Sequence, residues 1–176
     1  SNAYSNLASG IESADKTSIT AFTKSDDVCF WLYTSGTTGS PKGVVHLHSH
    51  LAPTADLYAK PILNISEDDV VFSAAKLFFA YGLGNALTFP MAVGASAILL
   101  EGPPEPEKIN KIFLEEKPTL FFAVPTLFAM LLASDNLPTK DEHYVRLCIS
   151  AGEPLPSDLL ARWQSTFGVD ILDGLG

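Results

Sequence analysis

The residues best suited to chemistry form the run Tyr33-Thr34-Ser35-Gly36-Thr37-Thr38-Gly39-Ser40-Pro41-Lys42-Gly43. Gly36, Gly39 and Gly43 allow positive φ and a close approach of backbone to ligand. Thr34, Ser35, Thr37, Thr38 and Ser40 offer hydroxyl donors. Free backbone N–H groups in such a turn make an anion-binding concavity, and Lys42 adds a mobile point charge for phosphate oxygens. The run is not a Walker loop, because Lys42 follows Pro41 and precedes Gly43. An ordinary flexible surface loop is the competing reading, and a run this long in this order argues against it.

Other residues carry weaker signals. Phe79-Ala80-Tyr81-Gly82 reads as a slot, two aromatic walls with a small residue between them, suited to a flat uncharged ring; plain core aromatics are the alternative. His46, His48 and His50 alternate and would share one face of a strand. Cys and carboxylate companions are missing, so a structural role is preferred to a metal site. Lys76 either meets an anion or is a solvated charge. Glu153 lacks any neighbour with a proton to give, so it is not read as a general base.

These residues need positioning elements. Val28–Tyr33 and Val44–His48 read as two strands flanking the Gly-rich loop, a hairpin with a long tip. Downstream, strands are expected at 70–73, 95–100, 119–124, 146–150 and 169–172. Helices are expected at 84–93, 107–117 and 125–134. A further helix reaches Phe167, capped by Ser157 and stopped by Gly168. The alternation predicts an α/β fold, a mostly parallel sheet flanked by helices, with the hairpin carrying the phosphate loop. Ligands in such sheets bind beyond the carboxyl ends of the strands. Those ends are Ala74-Ala75-Lys76, Val124-Pro125-Thr126, Ser150-Ala151-Gly152-Glu153 and Asp173-Gly174.

Composition sets the limits. The 176 residues are 47% hydrophobic, enough for one domain with a core. A net charge of −9 disfavours nucleic acid and anionic membrane as partners, and it requires any nucleotide site to be made by local groups. No apolar run of membrane-spanning length occurs. The two cysteines, Cys29 and Cys148, read as buried free thiols of a reducing compartment, and a cytoplasmic location is expected. Residues 1–3 resemble the remnant of a removed tag, residues 4–27 read as a polar lead-in or linker, and residues 28–176 read as the core.

The loop at 33–43 resembles the signature phosphate loop of the adenylate-forming acyl-CoA ligases, adenylation domains and luciferases. Ser150-Ala151-Gly152-Glu153-Pro154-Leu155 is similar to the stretch that packs on adenine and ribose in that family. Asp170–Gly176 looks like the approach to its next motif, and Lys76–Asn85 resembles its acyl-pocket motif, in a form closest to benzoate-CoA ligases. The resemblance implies part of the large domain of the acyl-CoA ligase fold, with the rest of that domain and the small C-terminal domain absent. It implies ATP, Mg²⁺ and coenzyme A as cofactors, an aromatic carboxylate as substrate and the remainder of the parent chain as partner. It assigns phosphate or nucleotide contacts to Thr34, Ser35, Gly36, Thr37, Thr38, Gly39, Lys42, Ser150, Ala151, Gly152, Glu153, Pro154 and Asp173. Lys42 is then the catalytic residue, and Phe79, Ala80, Tyr81 and Gly82 line the acid pocket. Glu153 would orient the adenine loop, and the metal-holding Glu is expected beyond Gly176. A role in aromatic acid degradation is the corresponding expectation. A carrier-protein-linked adenylation domain and a non-catalytic nucleotide-binding module are the alternatives; the absence of an acidic residue in Lys76–Asn85 weakens the first.

Overall fold

The computed structural model describes residues 7–34 and 39–174. Strands β1 (Val28–Thr34) and β2 (Lys42–Leu47) pair antiparallel as the expected hairpin. Phe30 and Leu32 point to a partly shielded face, while Trp31 and Tyr33 on the other face are exposed, as the period of two requires. The second strand ends one residue earlier than expected. His48–His50 form a 3₁₀ turn leading into helix α2 (Leu51–Thr54), which continues through a π-helical turn at Ala55–Ala59. This helix was not legible in sequence because Pro53 reads as a breaker. It falls in the first turn, where its missing N–H costs nothing. The lead-in contains a short helix α1 (Leu7–Ser13).

The remaining strands form one five-stranded parallel sheet. They are β3 (Val70–Ser73), β4 (Ser96–Leu99), β5 (Leu120–Ala123), β6 (Leu147–Ala151) and β7 (Ile171–Gly174). Their spatial order is β4-β3-β5-β6-β7. Helices cover both faces. On one face α5 (Pro106–Glu115), α6 (Pro125–Leu132) and α7 (Ser157–Thr166) bury Ile109, Phe113, Leu127, Phe128, Leu131, Leu159 and Trp163 against Phe72, Phe121, Cys148 and Ile171. The opposite face packs Val71, Leu120, Phe122 and Ile149 against Ala55, Ala59, Leu63 and Phe89. Strand β5 is buried along its whole length, Leu120-Phe121-Phe122-Ala123, as a central parallel strand covered on both faces must be. Burying each large side chain contributes about 1.5–3 kcal/mol.

The helix expected at 84–93 starts earlier. Helix α3 (Ala80–Leu83) runs through a π-helical turn at Gly84–Thr88 into α4 (Phe89–Val93). Gly82 and Gly84 hid its start, since glycine argues against helix. Gly82 is required for contact, because a Cβ there would strike the Lys76 carbonyl. Helix α7 lacks the expected serine cap. Pro156 occupies the N-cap position without a side-chain cap, and Ser157 is the first helical residue. Its other end is as expected: Gly168 adopts φ +77° and its N–H donates to the Gln164 carbonyl.

At the amino ends of the strands a polar knot locks the sheet. Arg146 donates from Nε and Nη2 to both Asp69 oxygens at 2.9 Å, and its guanidinium also reaches the Leu63 and Asn64 carbonyls. The Thr119 hydroxyl donates to Asp69 at 2.6 Å. Burial alone raises the Asp69 pKa, but the hydrogen bonds from Arg146, Thr119 and the Ser66 N–H, with the guanidinium charge, outweigh it and hold the carboxyl below its ordinary value.

Candidate functional site

Connections from β3 and from β5 leave in opposite directions, β3 toward β4 and β5 toward β6, although β3 and β5 are neighbours. A crevice opens at the carboxyl end of a parallel sheet where this happens. The candidate residues sit along that edge. In register, Ser73 lies beside Phe122, Ala123 beside Ser150, Ser150 beside Asp173 and Ala151 beside Gly174. From β3 to β7 the edge spans three strand spacings, about 14 Å.

The phosphate-loop motif is divided by the hairpin. Thr34 ends β1 directly opposite Lys42, which begins β2. Both are exposed, and Lys42 makes no ion pair with another described residue. Gly39 adopts φ +84°, the left-handed conformation for which glycine is suited. Ser35, Gly36, Thr37 and Thr38 lie outside the described residues. The hairpin stands beside the acyl motif, because Phe30, Trp31 and Leu32 share an apolar groove of about 370 Å³ with Leu51, Leu77, Phe78, Leu83, Leu87 and Thr88.

Around the acyl motif the arrangement differs from a simple slot. Residues 80–83 are helical, so successive side chains diverge and Phe79 and Tyr81 do not face each other across Ala80. Phe79 and Ala80 are exposed, with Phe79 against Phe78 at a centroid distance of 4.4 Å. Tyr81 turns toward the sheet. Its hydroxyl donates to the Ile149 carbonyl at 3.0 Å and lies 3.3 Å from that of Ala123, and its ring meets Phe122 edge-on. Burial pushes the phenol pKa up, so Tyr81 remains a neutral donor. Gly82 is buried, and Lys76 donates to the Leu100 carbonyl.

The β6–α7 loop carries the other half of the site. Ser150 is fully buried and its Oγ has no partner among the described residues. Ala151 is buried, while Gly152, Glu153 and Pro154 are exposed above it. Gly152 adopts φ +89°. Glu153 Oε2 accepts from the Thr126 hydroxyl at 3.0 Å, and Asp173 Oδ2 accepts from the Leu155 N–H at 3.4 Å. Sequence reasoning put Thr126 at a strand end and Asn85 at the close of the acyl motif without giving either a role. Asn85, in the π-helical turn, is buried with Nδ2 unpaired, and Ser73 Oγ at the end of β3 is likewise buried without a partner. Their signal was position only, at a strand end and within the acyl motif.

His46, His48 and His50 do not share a strand face, because the strand stops at Leu47. His46 stacks on Phe30 at 4.9 Å, and His50 Nδ1 accepts from the Leu47 N–H at 3.2 Å. Among the described residues no group of three or more His, Cys, Asp and Glu converges to hold a metal. No disulfide joins Cys29 and Cys148; burial pushes the Cys148 thiol pKa up. No helix among the described residues is long and apolar enough to cross a membrane.

A doubly wound parallel sheet thus carries the candidate residues along its carboxyl edge, with strand β1 beside residues 77–88. The AMP-binding enzyme family profile matches residues 3–176, and the chain belongs to that family. It is 56% identical over 170 residues to the benzoate–CoA ligase of Thauera aromatica, covering 97% of this chain and 32% of that protein. The benzoate CoA ligase structure from Burkholderia xenovorans LB400 matches with TM-score 0.87 and 51% identity, over 97% of this chain and 34% of that one. The anthranilate CoA ligase AuaEII in complex with anthranoyl-AMP matches with TM-score 0.89 and 37% identity, over 100% of this chain and 34% of that one. The chain therefore spans about a third of the length of the relatives it matches.

Proposed function

We propose that the complete protein containing this chain converts a benzoate-type carboxylate to its acyl-CoA thioester in two steps. The carboxylate attacks the α-phosphorus of ATP, the bond to the β-phosphate oxygen breaks, and acyl-adenylate and pyrophosphate form. The thiolate of coenzyme A then attacks the acyl carbon and AMP leaves. Neither step needs a protein nucleophile, so this chain's contribution is positioning and charge stabilisation. Lys42 with Thr34, Ser35, Gly36, Thr37, Thr38 and Gly39 would hold the β and γ phosphates as pyrophosphate departs. Ala151, Gly152, Glu153, Pro154 and Asp173 would border the adenosine, over the buried Ser150. Phe79 and Ala80 would face the ring of the acid, while Tyr81 and Gly82 fix the helix that presents them. Mg²⁺, when bound, neutralises phosphate charge; the described residues supply no converging ligand set for it, and no step here is routed through it.

The observation carrying this reading is 56% identity over 97% of the chain to a benzoate–CoA ligase, on a sequence that contains the phosphate-loop motif. The test is a substrate panel with the complete protein. Benzoate is expected to drive ATP–pyrophosphate exchange and coenzyme A-dependent AMP release far above acetate or amino acids. Equal turnover across the panel, or an amino acid preferred, would overturn it.

A further inference from the structure

Glu153 is an exposed carboxylate in the loop that, on the proposed function, borders the nucleotide. A free glutamate there would be a poor neighbour for phosphates in a chain of net charge −9. Its side-chain freedom is also large, so its mean position is set by what it binds. The structure gives it one hydrogen-bond partner among the described residues, the Thr126 hydroxyl at 3.0 Å. Thr126 is the second residue of α6, and Pro125 is the first. The carboxylate is thereby drawn to the positive end of a helix, which offsets its charge. The same bond joins the β5–α6 turn to the β6–α7 loop across 27 residues of chain.

Beyond Glu153 the loop is held at its far end, where Leu155 packs partly buried against the core cluster, while residues 152–154 stay exposed. Gly152 turns through φ +89°, with nothing nearer to a hypothetical Cβ there than Val124 Cγ1 at 3.9 Å. Further on, the loop has the long 3.4 Å bond from the Leu155 N–H to Asp173. Thr126 is thus the anchor at the exposed crest. We infer that Thr126 is a positioning residue for nucleotide binding: by holding Glu153 over the start of α6, it fixes the Gly152–Leu155 loop and keeps the carboxylate from the phosphates.

This inference rests on the proposed function, and the experiment separates the two. Benzoate-dependent ATP–pyrophosphate exchange by the unmodified complete enzyme is measured first; its absence sinks the proposed function. With exchange established, Thr126→Val is expected to raise KM for ATP about five- to tenfold, the worth of one ordinary hydrogen bond at an exposed position. The kcat and the KM for benzoate should change less than twofold (about), and Thr126→Ser should restore KM for ATP. In a Glu153→Ala background Thr126→Val should add nothing. An unchanged KM for ATP, an equal effect on the benzoate KM, a failure of serine to rescue, or additivity with Glu153→Ala would each overturn the positioning role.

Discussion

Lys42 and Gly82 are both expected site residues, and their surroundings differ. Lys42 is exposed at the start of β2, opposite Thr34. Replacing it with alanine in the complete enzyme is expected to slow adenylation by about 10²-fold, as loss of one transition-state donor does. The readout is benzoate-dependent pyrophosphate exchange, and an unchanged rate would remove Lys42 from the mechanism. Gly82 works through sterics. Because a Cβ at that position meets the Lys76 backbone, Gly82→Ala must displace the start of α3. The expected cost is about 1–3 kcal/mol of stability, read from denaturant midpoints. A variant as stable as the parent would show that the turn relaxes freely.

At the scale of elements, the C-terminal end of α7 and the segment entering β6 are joined by a histidine that no motif announced, His143. His143 stacks on Phe167 at 3.7 Å, its Nε2 lies 2.9 Å from the Phe167 carbonyl, and its Nδ1 accepts from the Val145 N–H at 3.2 Å. The two bonds together require the neutral ring with hydrogen on Nε2. Burial lowers the His143 pKa, against opposing pulls from the Phe167 carbonyl and Glu142. The unfolded chain takes up its proton near pH 6.5 and the folded chain only below that. The stabilisation is therefore complete above about pH 6.5 and is lost as pH falls toward the folded value. Denaturant midpoints taken near pH 7.5 and near pH 5.5 should differ more for the parent than for His143→Phe, which keeps the stacked ring without the titration. Equal differences in both proteins would rule the residue out.

The elements also show where local signals suffice. Helix α5 was legible because Ile109, Ile112 and Phe113 recur at helical spacing, and Pro106 and Pro118 bound it. The start of α3 was not, because Gly82 in it and Gly84 just after it answer to close contacts with the Lys76 carbonyl and the Phe89 ring rather than to helix propensity. The serine expected to cap α7 fell one position inside the helix, since Pro156 supplies the extended φ of −64° and ψ of 136° that the N-cap position needs.

For the whole molecule, the chain supplies a parallel-sheet edge, the β1–β2 hairpin and helix α3, within about a third of its relatives' length. Exposed apolar side chains such as Trp31, Tyr33, Phe78 and Leu99 accompany that partial span. Alone, the 176-residue chain is expected to bind ATP weakly and to release no AMP with benzoate and coenzyme A. Calorimetry and an AMP assay check this, and turnover by the isolated chain would contradict it. The sequence by itself determined the strand–helix alternation and the family, because these depend on residue types at short fixed spacing. Only the tertiary structure decided that β3 lies beside β5, that Tyr81 spends its hydroxyl on the backbone of β5 and β6, and that Thr126 meets Glu153. Those are contacts between residues far apart in the chain, and packing of the sheet, not local periodicity, brings them together.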